Sequence, residues 1–202
     1  MLQQHACMQG CIYVHDICEA ETSGIAAAVS HEVAADMRSM EGLRSGHEVA
    51  NTIDRRPTMK ITMRKEDFDA IYRHALAERP DEACGLIAGV DLEDGTREIR
   101  KVYFLTNVDH TNEHFTIDPR EQLGAIKDMR ANGIKPLGNW HSHPESPSRP
   151  SEEDKRLAND SSASYLILSL MEEGNPVLNA FHVEGPEGER TVRKEELVII
   201  QD

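Results

Sequence analysis

The chain has 202 residues, 39% hydrophobic and 29% charged, with a formal net charge of −14 at pH 7. That is enough for one ordinary globular domain plus an extension, and the acidity argues against nucleic acid or an anionic membrane surface as the main partner. No run approaches the roughly 18 apolar residues of a membrane span, and no basic segment with an apolar core opens the chain, so a cytoplasmic protein is expected.

Residues 1–58 hold three of the four cysteines, Cys7, Cys11 and Cys18, and few strong hydrophobics in any strand pattern. Alanine content suggests a short helix over 24–38. Cys7, Cys11, His15 and Cys18 could ligate a metal, but no C-x-x-C knuckle is present. The segment reads instead as a disordered or mis-assigned start outside the fold, with Met59 or Met63 as the expected true beginning. The fourth cysteine, Cys84, stands alone in the remainder, so 59–202 can form no internal disulfide, which fits a reducing compartment.

From residue 59 the pattern sharpens. A short strand is expected over 60–63. Phe68, Ile71, Tyr72, Ala75 and Leu76 fall at helical spacing, so 65–79 reads as an amphipathic helix that Pro80 ends. The apolar run 83–90 reads as a buried strand, and 97–106 as its hairpin partner after the Asp94-Gly95 turn. Residues 115–117 are short and extended. Asp118, Pro119 and Glu121 then supply an N-cap, a first-position proline and a third-position glutamate for a helix that should stop at Gly133. A strand follows over 134–143. Pro144, Pro147 and Pro150 stiffen the next loop, and Ser151 opens another helix. Strands over 164–171 and 177–183 flank a Gly174-Asn175 turn, and 197–200 reads as a last strand. Helices inserted between strands imply an α/β fold, α+β or an α/β/α sandwich.

The segment His141-Ser142-His143-Pro144, followed by Ser151-Glu152-Glu153-Asp154, carries the chemistry. On a strand, residues i and i+2 share a face, so both imidazoles can reach one ion; on a helix they would point about 200° apart. Two nitrogens and a carboxylate leave a tetrahedral zinc one open position, the mark of a catalytic rather than a closed structural site. Ser151 and Asp154 also form an S-x-x-D capping box. Capping leaves the Ser151 hydroxyl hydrogen free, so Ser151 is expected to donate to an oxyanion, with Asp154 turned toward the metal rather than the cap.

A zinc hydrolase needs a general base. Glu145, Glu152 and Glu153 read as solvated acids. Glu82, at the mouth of the apolar strand, is set to be desolvated, which raises a carboxyl pKa. The residues alone leave it open between base and loop acid. Cys84 reads as a buried apolar thiol rather than a redox centre.

Glu82 with the segment 82–89, and His141-x-His143-Pro144-x6-Ser151-x2-Asp154, closely resemble the JAMM or MPN+ metalloproteases. The resemblance covers roughly 59–202. It implies His141, His143 and Asp154 as ligands of one Zn2+, Glu82 as general base and Ser151 as transition-state donor. It implies a three-layer α/β/α sandwich with a mixed sheet, of the cytidine deaminase-like type. It further implies an isopeptidase cutting after the C-terminal Gly-Gly of a ubiquitin-like protein. The small size and the Glu-Ala-Cys-Gly-Leu segment are similar to small prokaryotic members that act on sulfur-carrier proteins. Three rivals stand beside this reading: a peptidase acting on cell-wall or phage-tail peptides, an iron site with a facial triad, and a module that grips ubiquitin-like tails without cutting. The iron triad usually runs H-x-D/E with a distant His. A zinc deaminase is excluded, because P-C-x-x-C is missing.

Overall fold

A computed structural model describes residues 59–201. The expectations placed on residues 1–58, including Cys7, Cys11 and Cys18, lie outside the described residues. Ten elements follow in order: β1 (Lys60–Arg64), α1 (Lys65–Glu78), β2 (Cys84–Asp91), β3 (Arg97–Leu105), α2 (Pro119–Ala131), β4 (Lys135–His143), α3 (Glu152–Leu157), β5 (Ser164–Ser169), β6 (Val177–Glu184) and β7 (Thr191–Ile200).

The seven strands form one mixed sheet in the order β1-β3-β2-β4-β5-β6-β7, and the sheet closes on itself. Closure runs through β1, which pairs in parallel with β7 along its whole length and with β3 at Ile61 and Thr62. β2 is central and fully buried along Cys84–Gly89. Its side chains alternate between two cores. Ile87 packs with Ile71 and Ala75 of α1, Trp140, Leu166 and Leu168. Cys84, Leu86 and Ala88 pack with Ala125 and Met129 of α2. A helix therefore covers each face of β2, as an α/β fold requires. The sheet is not the open layer of a flat sandwich, because β1 bridges its two ends.

Local chemistry sets the element ends. Asp118 caps α2 by accepting from Arg120 N at 2.8 Å and Glu121 N at 3.1 Å, with Pro119 in the first turn. Glu121 does not complete a capping box; its carboxylate takes Thr106 N at 2.7 Å and ties α2 to the end of β3. Leu76, expected on the core face of α1, is 41% exposed. Strand β7 is longer than its apolar end suggests, starting at Thr191 and pairing antiparallel with β6.

One close approach places the site. Gly85 lies where a Cβ would stand 1.9 Å from Tyr103 O and 2.5 Å from Trp140 Nε1. The bare glycine lets the Trp140 indole cross β2 and donate to Tyr103 O at 3.0 Å. This locks β4 against β2 and β3 one residue before His141.

Candidate metal centre

Strand β4 delivers His141 and His143 from one face, at 2% and 5% exposure. Between them Ser142 points away. Its Oγ accepts from Ala83 N at 2.9 Å, and its N–H donates to Ala83 O at 2.8 Å. The end of β4 is thereby sewn to the chain beside Glu82. The proline-rich loop then orients His143: Nδ1 faces Pro147 O and Ser146 Oγ, both at 3.1 Å, which leaves Nε2 free. The loop is itself held, Ser148 Oγ donating to Ile167 O and Ser169 Oγ to Ser146 O, each at 2.7 Å.

Helix α3 brings Asp154. Ser151 caps it, accepting from Asp154 N at 3.0 Å, while Asp154 Oδ2 accepts from Ser151 N and Ser151 Oγ, both at 2.7 Å. The same carboxylate faces both histidines: Oδ1 lies 3.4 Å from His141 Nε2 and Oδ2 lies 3.5 Å from His143 Nε2. The expectation that Asp154 would turn from the cap toward the metal is therefore corrected. A carboxylate has two oxygens and about four lone-pair sites, so it does both. The Ser151 hydroxyl proton, expected to be free, is engaged by Asp154.

The two Nε2 atoms are 3.0 Å apart. A tetrahedral zinc with bonds of about 2.0–2.2 Å has ligand–ligand edges of roughly 3.3–3.6 Å. The imidazole nitrogens, 3.0 Å apart, each face a different oxygen of the one Asp154 carboxylate, at 3.4 and 3.5 Å, so two nitrogens and a carboxylate converge at separations close to those edges and the donor set fits that ion. Among the described residues this is the one cluster of three such donors. Electrostatics agree. Burial opposes charge on Asp154, yet His141, His143 and Ser151 hold its carboxyl well below the usual carboxylate range. Burial would also lower His141, but the Asp154 carboxylate raises it on balance.

Glu82 sits at the entrance to β2, 5% exposed. Burial pushes its carboxyl up, against the partial opposition of His141 and His143. Its backbone is clamped: Glu82 N donates to Thr111 O at 2.8 Å, and Glu82 O accepts from Asn107 Nδ2 at 3.0 Å. Asn107 also donates to His114 O and accepts from Asp109 N and Thr116 N. Sequence reasoning missed this residue. Phe115, on the same loop, stacks on His141 with centroids 4.8 Å apart. Of the other acids weighed as bases, Glu145 and Glu152 are exposed, and Glu153 pairs with Arg156 at 3.0 Å. Cys84 is buried against Leu105 O at 3.6 Å, and desolvation, with Glu82 nearby, pushes its thiol up to about 12. It is thus an inert core thiol.

The profile of the prokaryotic homologs of the JAB domain matches residues 64–182. The chain belongs to this family. Its JAB domain is similar to the CysO-cysteine peptidase of Mycobacterium tuberculosis, 28% identical over 123 residues, which cover 61% of this chain and 82% of that protein. It is also similar to the desampylase of Haloferax volcanii, 28% identical over 115 residues, covering 54% and 81%. A solved structure of a protein from Desulfitobacterium hafniense is 47% identical, with a TM-score of 0.63 over 70% of this chain and 94% of that one.

A cleft opens beside the centre of this JAB domain. Phe115, Leu157, Tyr165, Ile167 and Val183 make its apolar wall, and Asn139, His141 and Asp154 its polar part. Among the described residues, no helix is long and apolar enough to cross a membrane.

Proposed function

We propose that this JAB domain is a zinc-dependent hydrolase that cuts the bond after the C-terminal Gly-Gly of a ubiquitin-like or sulfur-carrier protein. The observation that carries the reading is the convergence of His141, His143 and Asp154 beside the buried carboxyl of Glu82. The relatives named as a CysO-cysteine peptidase and a desampylase support the substrate class. The domain spans 59–202 and works in the cytoplasm. Its closed sheet, with a helix on each face of β2, is a curled form of the three-layer, cytidine deaminase-like sandwich.

One Zn2+ per chain, held by His141, His143 and Asp154, supplies Lewis-acid polarisation of the scissile carbonyl and acidifies water. Glu82 receives the proton of the attacking water and hands it to the leaving amine. Its raised pKa suits both transfers, since a base and acid works best near the operating pH. Ser151 turns its hydroxyl from Asp154 Oδ2 to the developing oxyanion. Phe115 and Asn107 hold the two sides of the site, one against His141 and the other through Glu82.

The test is mass spectrometry of a Gly-Gly-tailed carrier protein extended by a peptide or a cysteine. Cleavage immediately after Gly-Gly is expected with zinc-loaded protein, and is lost in Glu82→Ala and in chelator. Bound zinc at one per chain without cleavage would move the substrate to wall or other peptides; absence of zinc binding would overturn the reading.

A further inference from the structure

Two buried polar atoms of the metal centre have no hydrogen-bond partner: His141 Nδ1 and Asn139 Oδ1. Their residues lie two apart on β4, so both side chains point to one face, and both line the cleft. They are 2% and 4% exposed. Nε2 of His141 faces Asp154 and His143, so a neutral, ligating ring carries its proton on Nδ1. Nδ1 is therefore a donor without an acceptor, and Oδ1 an acceptor without a donor. Phe115 covers the face of the ring but offers Nδ1 nothing. His143, by contrast, has its Nδ1 engaged by the proline-rich loop.

The two orphans are complementary, and they do not meet directly. The cleft that both line has a cavity volume of about 30 Å³, and one water needs roughly 10–15 Å³ with two or more polar partners. We propose that an ordered water bridges the two, accepting from His141 Nδ1–H and donating to Asn139 Oδ1. Asn139 is then a positioning residue: through the water it holds His141 in the tautomer that presents Nε2 to the metal. Metal-ligating histidines characteristically need such a partner on the second nitrogen, and its loss costs about 10–100-fold in metal affinity.

This inference rests on the metal reading above, and the experiment separates the two. Zinc is titrated against a fluorescent chelator into wild type, Asn139→Leu, Asn139→Asp and His141→Ala. Asn139→Leu, which removes the acceptor, should bind about 10–100-fold more weakly. Asn139→Asp keeps an acceptor and should bind as tightly as wild type or tighter. Long-range 1H–15N spectra of the zinc-loaded wild type should show His141 protonated on Nδ1, with a cross-peak from that proton to a long-lived water. Wild-type affinity in Asn139→Leu overturns the proposal, and so does a missing water cross-peak, which decides the matter even where the leucine variant fails to fold. Unchanged affinity in His141→Ala overturns the metal reading and this inference with it.

Discussion

Ser151→Ala separates three roles that one hydroxyl can play. The first is capping. Ser151 Oγ accepts from Asp154 N at 3.0 Å, and losing a serine cap costs about 1 kcal/mol, or roughly 3–4 °C in Tm for a domain of this size. The second is orientation. The same hydroxyl donates to Asp154 Oδ2 at 2.7 Å, so its loss frees the metal-facing carboxylate on one side. Ser151 N still holds Oδ2 at 2.7 Å, however, so the loss of zinc affinity should stay near tenfold, the low end for a group that orients a ligand. The third is transition-state donation, whose removal typically costs about 10²–10³ in turnover. Three measurements on one variant isolate these effects: thermal melting, zinc competition, and kcat at saturating zinc. The expected result is a small drop in Tm, about tenfold weaker zinc and at least a hundredfold lower kcat with zinc restored. A kcat within a few-fold of wild type at saturating zinc would falsify the donor role and leave Ser151 as a cap and orienter only.

Glu82→Gln should keep zinc affinity near wild type and lower kcat by about 10²–10⁴, as read by single-turnover cleavage. In metal-free protein burial raises the Glu82 pKa, so its carboxyl should titrate above the ordinary carboxylate range, as read by 13C chemical shifts against pH in chelator; titration at an ordinary glutamate value would argue against its desolvation. Removing zinc should reverse the sign of the pH dependence of stability. In metal-free protein the raised pKa of His141 adds stability that is complete below the ordinary value of 6.5 and is lost as pH climbs through the folded value. The lowered pKa of Asp154 adds stability present above its ordinary 3.8 and lost as pH falls toward the folded value. Zinc-loaded protein instead loses stability as pH falls below about 6.5, because the imidazoles must be deprotonated to bind. Melting curves with and without chelator between pH 5.5 and 8 check the opposed slopes, and parallel slopes refute the coupling. Gly85→Ala should lower Tm by about 5–10 °C and quench the ordered Trp140 environment, because the new Cβ meets Tyr103 O and the indole; an unchanged near-UV spectrum would count against the packing argument.

The parts of the site legible in the sequence are those whose spacing maps onto local geometry. His141 and His143 share a face because strand periodicity is two, and Ser151 with Asp154 is readable because a capping box spans one helical turn. Glu82 was half legible: an acid before an apolar run can be desolvated, but only the fold brings it to the histidines, through the β2–β4 pairing that sets Cys84 opposite His141. Asn107 was not legible at all. Its partner Glu82 lies 25 residues away, and nothing in the order of residues marks an asparagine after a strand as a clamp on that backbone. Ser142 drew no reading from the sequence and is the stitch between β4 and Ala83.

The closed sheet was hidden for the same reason. β1 meets β7, with Ile61 opposite Leu197, and no local pattern encodes a pairing that distant. Only 197–200 reads as a strand, since the first half of β7 carries charged residues and no apolar alternation. It is a strand because β6 pairs with it and because Arg193 meets Glu184 at 3.4 Å across that pair. Asp154 marks the limit most sharply. Its sequence context offered cap or ligand as alternatives, since each is a one-contact description. The folded carboxylate accepts from Ser151 and faces both imidazoles at once. The turn that starts α3 and the candidate metal centre are thus one hydrogen-bonded unit, and a change that loosens the helix start must also loosen the Asp154 carboxylate that faces both histidines.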